Sequence, residues 1–318
     1  MKTAPLANTG ESVSVVSLGT MYFGSKVPER DSFALLDYYT NQGGNFLDSA
    51  NKYASWVPGF KGGESEELIG KWMKERNNRN ELFLTSKVGF AYGLVPQSLK
   101  REIIISECEK SLKRLGVETI DLYFAHTFDV NIPEAEIMES FRLLKQSGKI
   151  RFAGASNFTT GRLAIANNAA DQSGWEGFIA LQQRHSYIQP WLGASFGTQL
   201  VLTPDHLEYC RIKGMAIMGY TPLLGGIYGQ RELWIPQQYE NVETTERLKI
   251  LNELAFEIGA TPNQLVLAWM FQNNPPVLPI ISAGSLSHLK ENLGAAELVL
   301  LPEQIIRMNN NPDSIPKY

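Results

Sequence analysis

The feature that most constrains this chain is an alternation. Short apolar, β-branched runs and amphipathic helical stretches succeed one another along nearly its whole length, the pattern of repeated βα units that lay parallel strands side by side. Strands are expected over 16–20, 45–50, 82–88, 120–126, 150–157, 178–184, 216–221 and 277–282. Helices are expected over 30–41, 64–76, 99–115, 134–147, 161–172, 204–213, 245–258 and 285–296, so each strand has its own. An extra helix over 261–273 opens on Thr261 as cap, with Pro262 at its first position.

Eight such units predict an α/β chain of the (β/α)8, or TIM-barrel, class. That fold takes roughly 250 residues plus insertions, so the 318 residues form one expected domain over 1–318. An open doubly wound sheet is the alternative. Residues 2–4 and 12–15 flank a turn at Asn8 and Gly10 and are expected to pair as a hairpin under the barrel. Two long irregular stretches, 54–63 and 222–242, both follow strand C-termini, where this fold builds its sites. Trp56, Tyr228, Trp234 and Tyr239 are expected to wall a pocket there.

Composition narrows the partners. A net charge of −4 and a pI near 5.7 give no basic footprint for phosphate backbones, which argues against nucleic acid. No apolar run approaches the roughly 18 residues of a membrane helix, and Met1 to Gly10 lacks a secretory pattern, so a cytoplasmic location and a small-molecule partner are expected. Oligomeric state is not legible. Cys108 and Cys210 lie far apart in helical stretches and read as free thiols, with no metal knuckle, and His206 reads as an exposed residue early in a helix.

The ionisable residues at expected strand ends are Asp48, Lys87 and His126, with Tyr53 just into the following loop. Singly they read as a turn cap, a solvated lysine, a core histidine and pocket wall. Together they form a proton-transfer set. A Tyr beside an ammonium becomes a better acid, Asp48 would keep that ammonium charged, and His126 would hydrogen-bond the substrate oxygen.

Several motifs resemble the aldo-keto reductase superfamily over nearly the whole chain: Leu47-Asp48-Ser49-Ala50 with Tyr53 following, Thr85-Ser86-Lys87-Val88, Asp121 to His126, and Gly154-Ala155-Ser156-Asn157-Phe158. The resemblance implies hydride transfer between a nicotinamide cofactor and a carbonyl or alcohol, with Asp48, Tyr53, Lys87 and His126 catalytic. It also implies that Ser156, Asn157 and Gln182 hold the nicotinamide and that Tyr220, in Gly219 to Leu223, stacks on it. The implied cofactor track continues through Gly19, Thr20, Met21, Thr221, Pro222, Leu223 and Gly225 to Ser282, Ser285, His288, Glu291 and Asn292. No G-x-G-x-x-G is present, in keeping with a dinucleotide lying across strand-end loops.

The chain departs from the family where its known forms carry a Lys near Ser282 and an Arg near His288, both of which are missing here. A ribose 2′-phosphate wants a fixed cation. NADP is the expected cofactor on the family pattern, and the local residues also permit NAD. Tyr22, Trp56, Phe90 and Phe128 are the candidate substrate walls; they suit an aryl aldehyde or the apolar face of a sugar. Lys61, Asp129 and Arg184 leave a polyhydroxylated substrate open. Two other readings are a cofactor-binding regulatory subunit with little turnover and a metal-dependent barrel lyase or isomerase.

Overall fold

The computed structural model describes residues 1–229 and 234–309. In chain order its elements are β1 (Thr3–Pro5), β2 (Ser12–Ser14), β3 (Ser17–Gly19), α1 (Glu29–Asn41), β4 (Phe46–Asp48), α2 (Glu64–Arg76), β5 (Phe83–Val88) and α3 (Arg101–Leu115). Next come β6 (Ile120–Ala125), α4 (Glu134–Gln146), β7 (Ile150–Ser156), α5 (Thr160–Gln172), β8 (Phe178–Arg184) and α6 (Pro204–Lys213). The chain finishes with β9 (Ala216–Tyr220), α7 (Val242–Ile258), α8 (Pro262–Gln272), β10 (Leu278–Ile281), α9 (Leu286–Leu293) and α10 (Pro302–Asn309).

Strands β3 to β10 pair in parallel and close, β10 bonding to both β3 and β9, so the open-sheet alternative is set aside. β1 and β2 pair antiparallel, as the turn at Asn8 and Gly10 predicts. No helix among the described residues is long and apolar enough to cross a membrane.

Helix ends follow local chemistry. Thr203 and Thr261 cap α6 and α8, each with Pro at the first position, and Gly116, Gly214 and Gly259 end α3, α6 and α7 in left-handed conformations. At Gly70, by contrast, packing is the constraint: a Cβ would stand 2.5 Å from the Arg114 carbonyl, so only glycine lets α2 lie this close to α3.

The core has two shells. An inner one fills the barrel with Phe46, Phe83, Leu122, Phe124, Met218 and Ile280, and Leu6 and Val13 from the hairpin belong to it, plugging the bottom. An outer one joins barrel to helices. With its lower part filled by apolar side chains, the barrel leaves polar ones for the C-terminal mouth.

Two expectations change. His206 is not an exposed helix residue; it is 4% exposed, and its Nε2 lies 2.9 Å from the Phe158 carbonyl. Tyr228 and Tyr239 are buried in the outer core, leaving Trp56 and Trp234 exposed. Of the loop over 222–242, residues 230–233 lie outside the described residues, and a further long loop, 185–203, covers the same face.

Candidate active site

The strand register places the set before any side chain is considered. Asp48 is opposite Thr85 across β4 and β5, and Lys87 stands two residues on, on the same inward face. The Asp48 carbonyl accepts from the Thr20 backbone, and Thr20 and Ser49 hydroxyls both meet Ser65 at the start of α2, at 2.7 and 2.9 Å. This hydroxyl knot ties the ends of β3 and β4 to a helix.

Asp48 is 1% exposed and Lys87 fully buried. Lys87 Nζ donates to Asp48 Oδ2 at 2.6 Å, to the Ser49 carbonyl at 2.7 Å and to Tyr53 Oη at 2.9 Å. The Tyr53 hydroxyl donates to Asp48 Oδ2 at 3.3 Å, and Thr85 and Gln182 donate to Asp48 Oδ1 at 2.8 and 2.9 Å. Each donor of the ammonium and both carboxylate oxygens are thus used, the condition for keeping a buried ion pair. Thr85 was missed in the sequence; its place two residues before Lys87 on one strand was the available signal.

The electrostatics correct one expectation. The Tyr53 phenol is pushed well above its ordinary value by burial and by the Asp48 carboxylate. Tyr53 therefore rests as a neutral phenol. Burial pulls Lys87 down while Asp48 pulls it back. His126 is held well below the ordinary imidazole value by burial and by Lys87 and Lys52. Its ring meets Tyr53 edge-on at 6.1 Å and Phe90 at 4.7 Å.

On the opposite wall Asn157 takes a left-handed φ of 58° and acts as a hub. Its Nδ2 donates to the His126 carbonyl at 2.8 Å and to Ser156 Oγ, and its Oδ1 accepts from Tyr220 Oη at 2.7 Å. Gln182 spends its Nε2 on Asp48. Of the six non-glycine residues with positive φ among the described residues, Ala54, Asn157, Thr221 and Leu224 follow strand C-termini on this face, while Ala7 lies in the hairpin and Asn77 ends α2. Backbone strain collects where side chains must be aimed.

The remaining expected residues divide. Gly19 packs on β10, where a Cβ would stand 2.9 Å from Ile280 Cγ2, and Thr20 belongs to the hydroxyl knot; Met21 is half-buried beside them. Pro222 is buried, Leu223 half-buried and Gly225 exposed. Ser285 caps α9, Ser282 and His288 are exposed, and Asn292 is buried. Glu291 is engaged by Thr261 Oγ1 at 2.8 Å and Asn263 at 3.2 Å. Tyr22, Trp56 and Phe90 gather around Tyr53 and His126, whereas Phe128 packs on Phe158 with Arg162 over its face. Asp129 is spent on Ser98, Leu99 and Asn131. Among the described residues no three His, Cys, Asp or Glu side chains gather as metal ligands.

Buried neutral histidines give a pH prediction. His126, His185 and His206 are all lowered by burial, His185 to about 4. Unfolding frees each to bind a proton at its ordinary value, so stability is complete above about pH 6.5 and falls as pH drops toward 4. The His185 shift alone corresponds to roughly 3 kcal/mol across that window. Thermal melts from neutral pH downward should show a falling midpoint; a flat profile would refute the assignment.

A family model described as "Aldo/keto reductase family" matches residues 15–310. Among curated proteins, the uncharacterized oxidoreductase YrpG of Bacillus subtilis is 28% identical over 98% of this chain and 95% of its own length. An aryl-alcohol dehydrogenase, NADP(+), of Phanerodontia chrysosporium is 29% identical over 96% and 84%. Norsolorinic acid reductase B of Dothistroma septosporum is 28% identical over 95% and 78%. A crystal structure of a thermostable aldo-keto reductase with the inhibitor epalrestat superposes with a TM-score of 0.75 at 28% identity, covering 98% of this chain and 99% of that one.

Proposed function

Because the chain belongs to the aldo/keto reductase family and is an NAD(P)-dependent oxidoreductase, we propose that it reduces a carbonyl compound to the alcohol with Tyr53 as the proton donor. The observation that carries this reading is the single bonded unit of Asp48, Lys87 and Tyr53 beneath a neutral His126. When bound, the nicotinamide supplies the hydride to the carbonyl carbon.

Negative charge then grows on the substrate oxygen, and Tyr53 Oη gives it a proton. The tyrosinate left behind faces Lys87 Nζ, 2.9 Å away in the resting structure. Asp48 keeps that lysine charged and oriented. His126, neutral, offers the oxygen a second hydrogen bond, without an imidazolium to compete for the proton.

The residues fit a nicotinamide. Gln182 has committed only its Nε2, so its Oε1 can accept from the carboxamide, and Ser156 and Asn157 stand beside it. We assign NADP(H) on the family's general usage and on the NADP(+) in the name of the Phanerodontia relative. Ser282 and His288 offer the 2′-phosphate no fixed cation, so discrimination should be small. NADPH is expected to bind no more than about tenfold more tightly than NADH, and Ser282→Lys to widen the gap about tenfold. Fluorescence titration measures both; a hundredfold preference in the unaltered protein would overturn this view of the phosphate end.

Tyr22, Trp56 and Phe90 around the mouth support an aryl aldehyde, and a sugar's apolar face suits the same rings. The decisive experiment follows oxidation of reduced cofactor by its absorbance across aldehydes, ketones and sugars. Tight cofactor binding with no turnover of any class would replace this reading with the regulatory one.

A further inference from the structure

Lys52 is a cation for which the proposed reaction has no use. It precedes Tyr53, and its ammonium lies 4.4 Å from the centroid of Phe90 and 5.7 Å from that of Trp56. These rings are walls of the substrate mouth: Phe90 meets His126 at 4.7 Å, and Trp56 meets Tyr53 at 6.2 Å. The ammonium is therefore held beside the point where a carbonyl would meet its two hydrogen-bonding residues.

Other cations in this part of the barrel have acids, the buried Lys87 with Asp48 and the half-buried Arg114 with Glu66, whereas Lys52 is itself half-buried. Among the described residues Lys52 has only the two ring faces. Burial alone pulls its pKa down, with no carboxylate opposing it. Its charge nonetheless reaches His126.

Lys26 adds positive charge on the same side, 4.8 Å over Tyr22, whose ring meets Trp56 at 6.3 Å. Two ammonium groups thus lie against the ring walls of the mouth in a chain of net charge −4.

We propose that Lys52 anchors a carboxylate on the substrate, so that the protein prefers carbonyl compounds carrying one over their neutral analogues. This names the substrate class of the site and rests on the reductase reading above. An ammonium that has shed part of its hydration, and is steadied by two ring faces, gains more from meeting an anion than a freely solvated lysine does.

The test is calorimetric titration of benzoate and of benzamide into the protein with oxidised NADP present, for the unaltered chain, Lys52→Met and Lys52→Arg. Benzoate should bind about tenfold or more tightly than benzamide, the preference disappearing in Lys52→Met and returning in Lys52→Arg. The ratio of kcat/KM for 4-carboxybenzaldehyde over its methyl ester should move in parallel. Benzoate binding no tighter than benzamide, or a preference that survives Lys52→Met, overturns the proposal. Reduction of the methyl ester's aldehyde group without a benzoate preference leaves the reductase reading standing and removes the anion site. A Lys52-dependent benzoate preference with neither aldehyde reduced does the reverse.

Discussion

Tyr53→Phe is expected to lower kcat by about a thousandfold while changing cofactor affinity by no more than about twofold, as loss of a positioned general acid does. The substitution removes one hydroxyl and little else. The ring keeps its edge contacts with Trp56 and His126. Lys87 keeps Asp48 and the Ser49 carbonyl, so the ion pair survives. Steady-state kinetics against a fluorescence titration of cofactor separate the two effects. A variant with kcat within tenfold of the unaltered protein would remove Tyr53 from the proton-donating role and shift attention to His126.

Lys87→Met should do more damage, to fold and reaction together. It strands the Asp48 carboxylate at 1% exposure with only neutral donors, Thr85, Gln182 and Tyr53. Breaking one side of a buried pair costs about 3–5 kcal/mol. Urea unfolding should record that loss, and turnover should fall at least as far as in Tyr53→Phe.

The double variant Asp48→Asn, Lys87→Met removes the stranded charge as well. It should recover much of the stability and none of the activity. Equal stability of Lys87→Met and the unaltered chain would mean that the pair is not buried as described. An active double variant would mean that the charge on Lys87 is not what tolerates a tyrosinate.

Much of the barrel was legible because its signal is local. The β-branched runs and amphipathic periods recur in each unit, and Thr203-Pro204 and Thr261-Pro262 announce their own helices. The helix α10 was not anticipated, being eight residues long, little more than two turns, too short for a helical period to stand out. His206 was misread as exposed, since nothing in its neighbours in sequence says that the Phe158 carbonyl will arrive beside it from another unit.

The candidate site divides along the same line. The chain's residue types and their order determined that Asp48, Lys87 and His126 stand at the ends of successive strands, with Tyr53 in the loop after the first, because a parallel strand's direction and period are local properties. Tertiary structure alone decided how they behave. Whether Lys87 makes Tyr53 more acidic, or burial and Asp48 make it less so, depends on desolvation and on distances between atoms many residues apart, and burial prevails. The Gln182 to Asp48 bond crosses the barrel, and the two rings that hold Lys52 come from two loops. Charge and hydrogen-bond energies vary steeply with separation and solvent, so they belong to the closed barrel and not to any segment of the sequence.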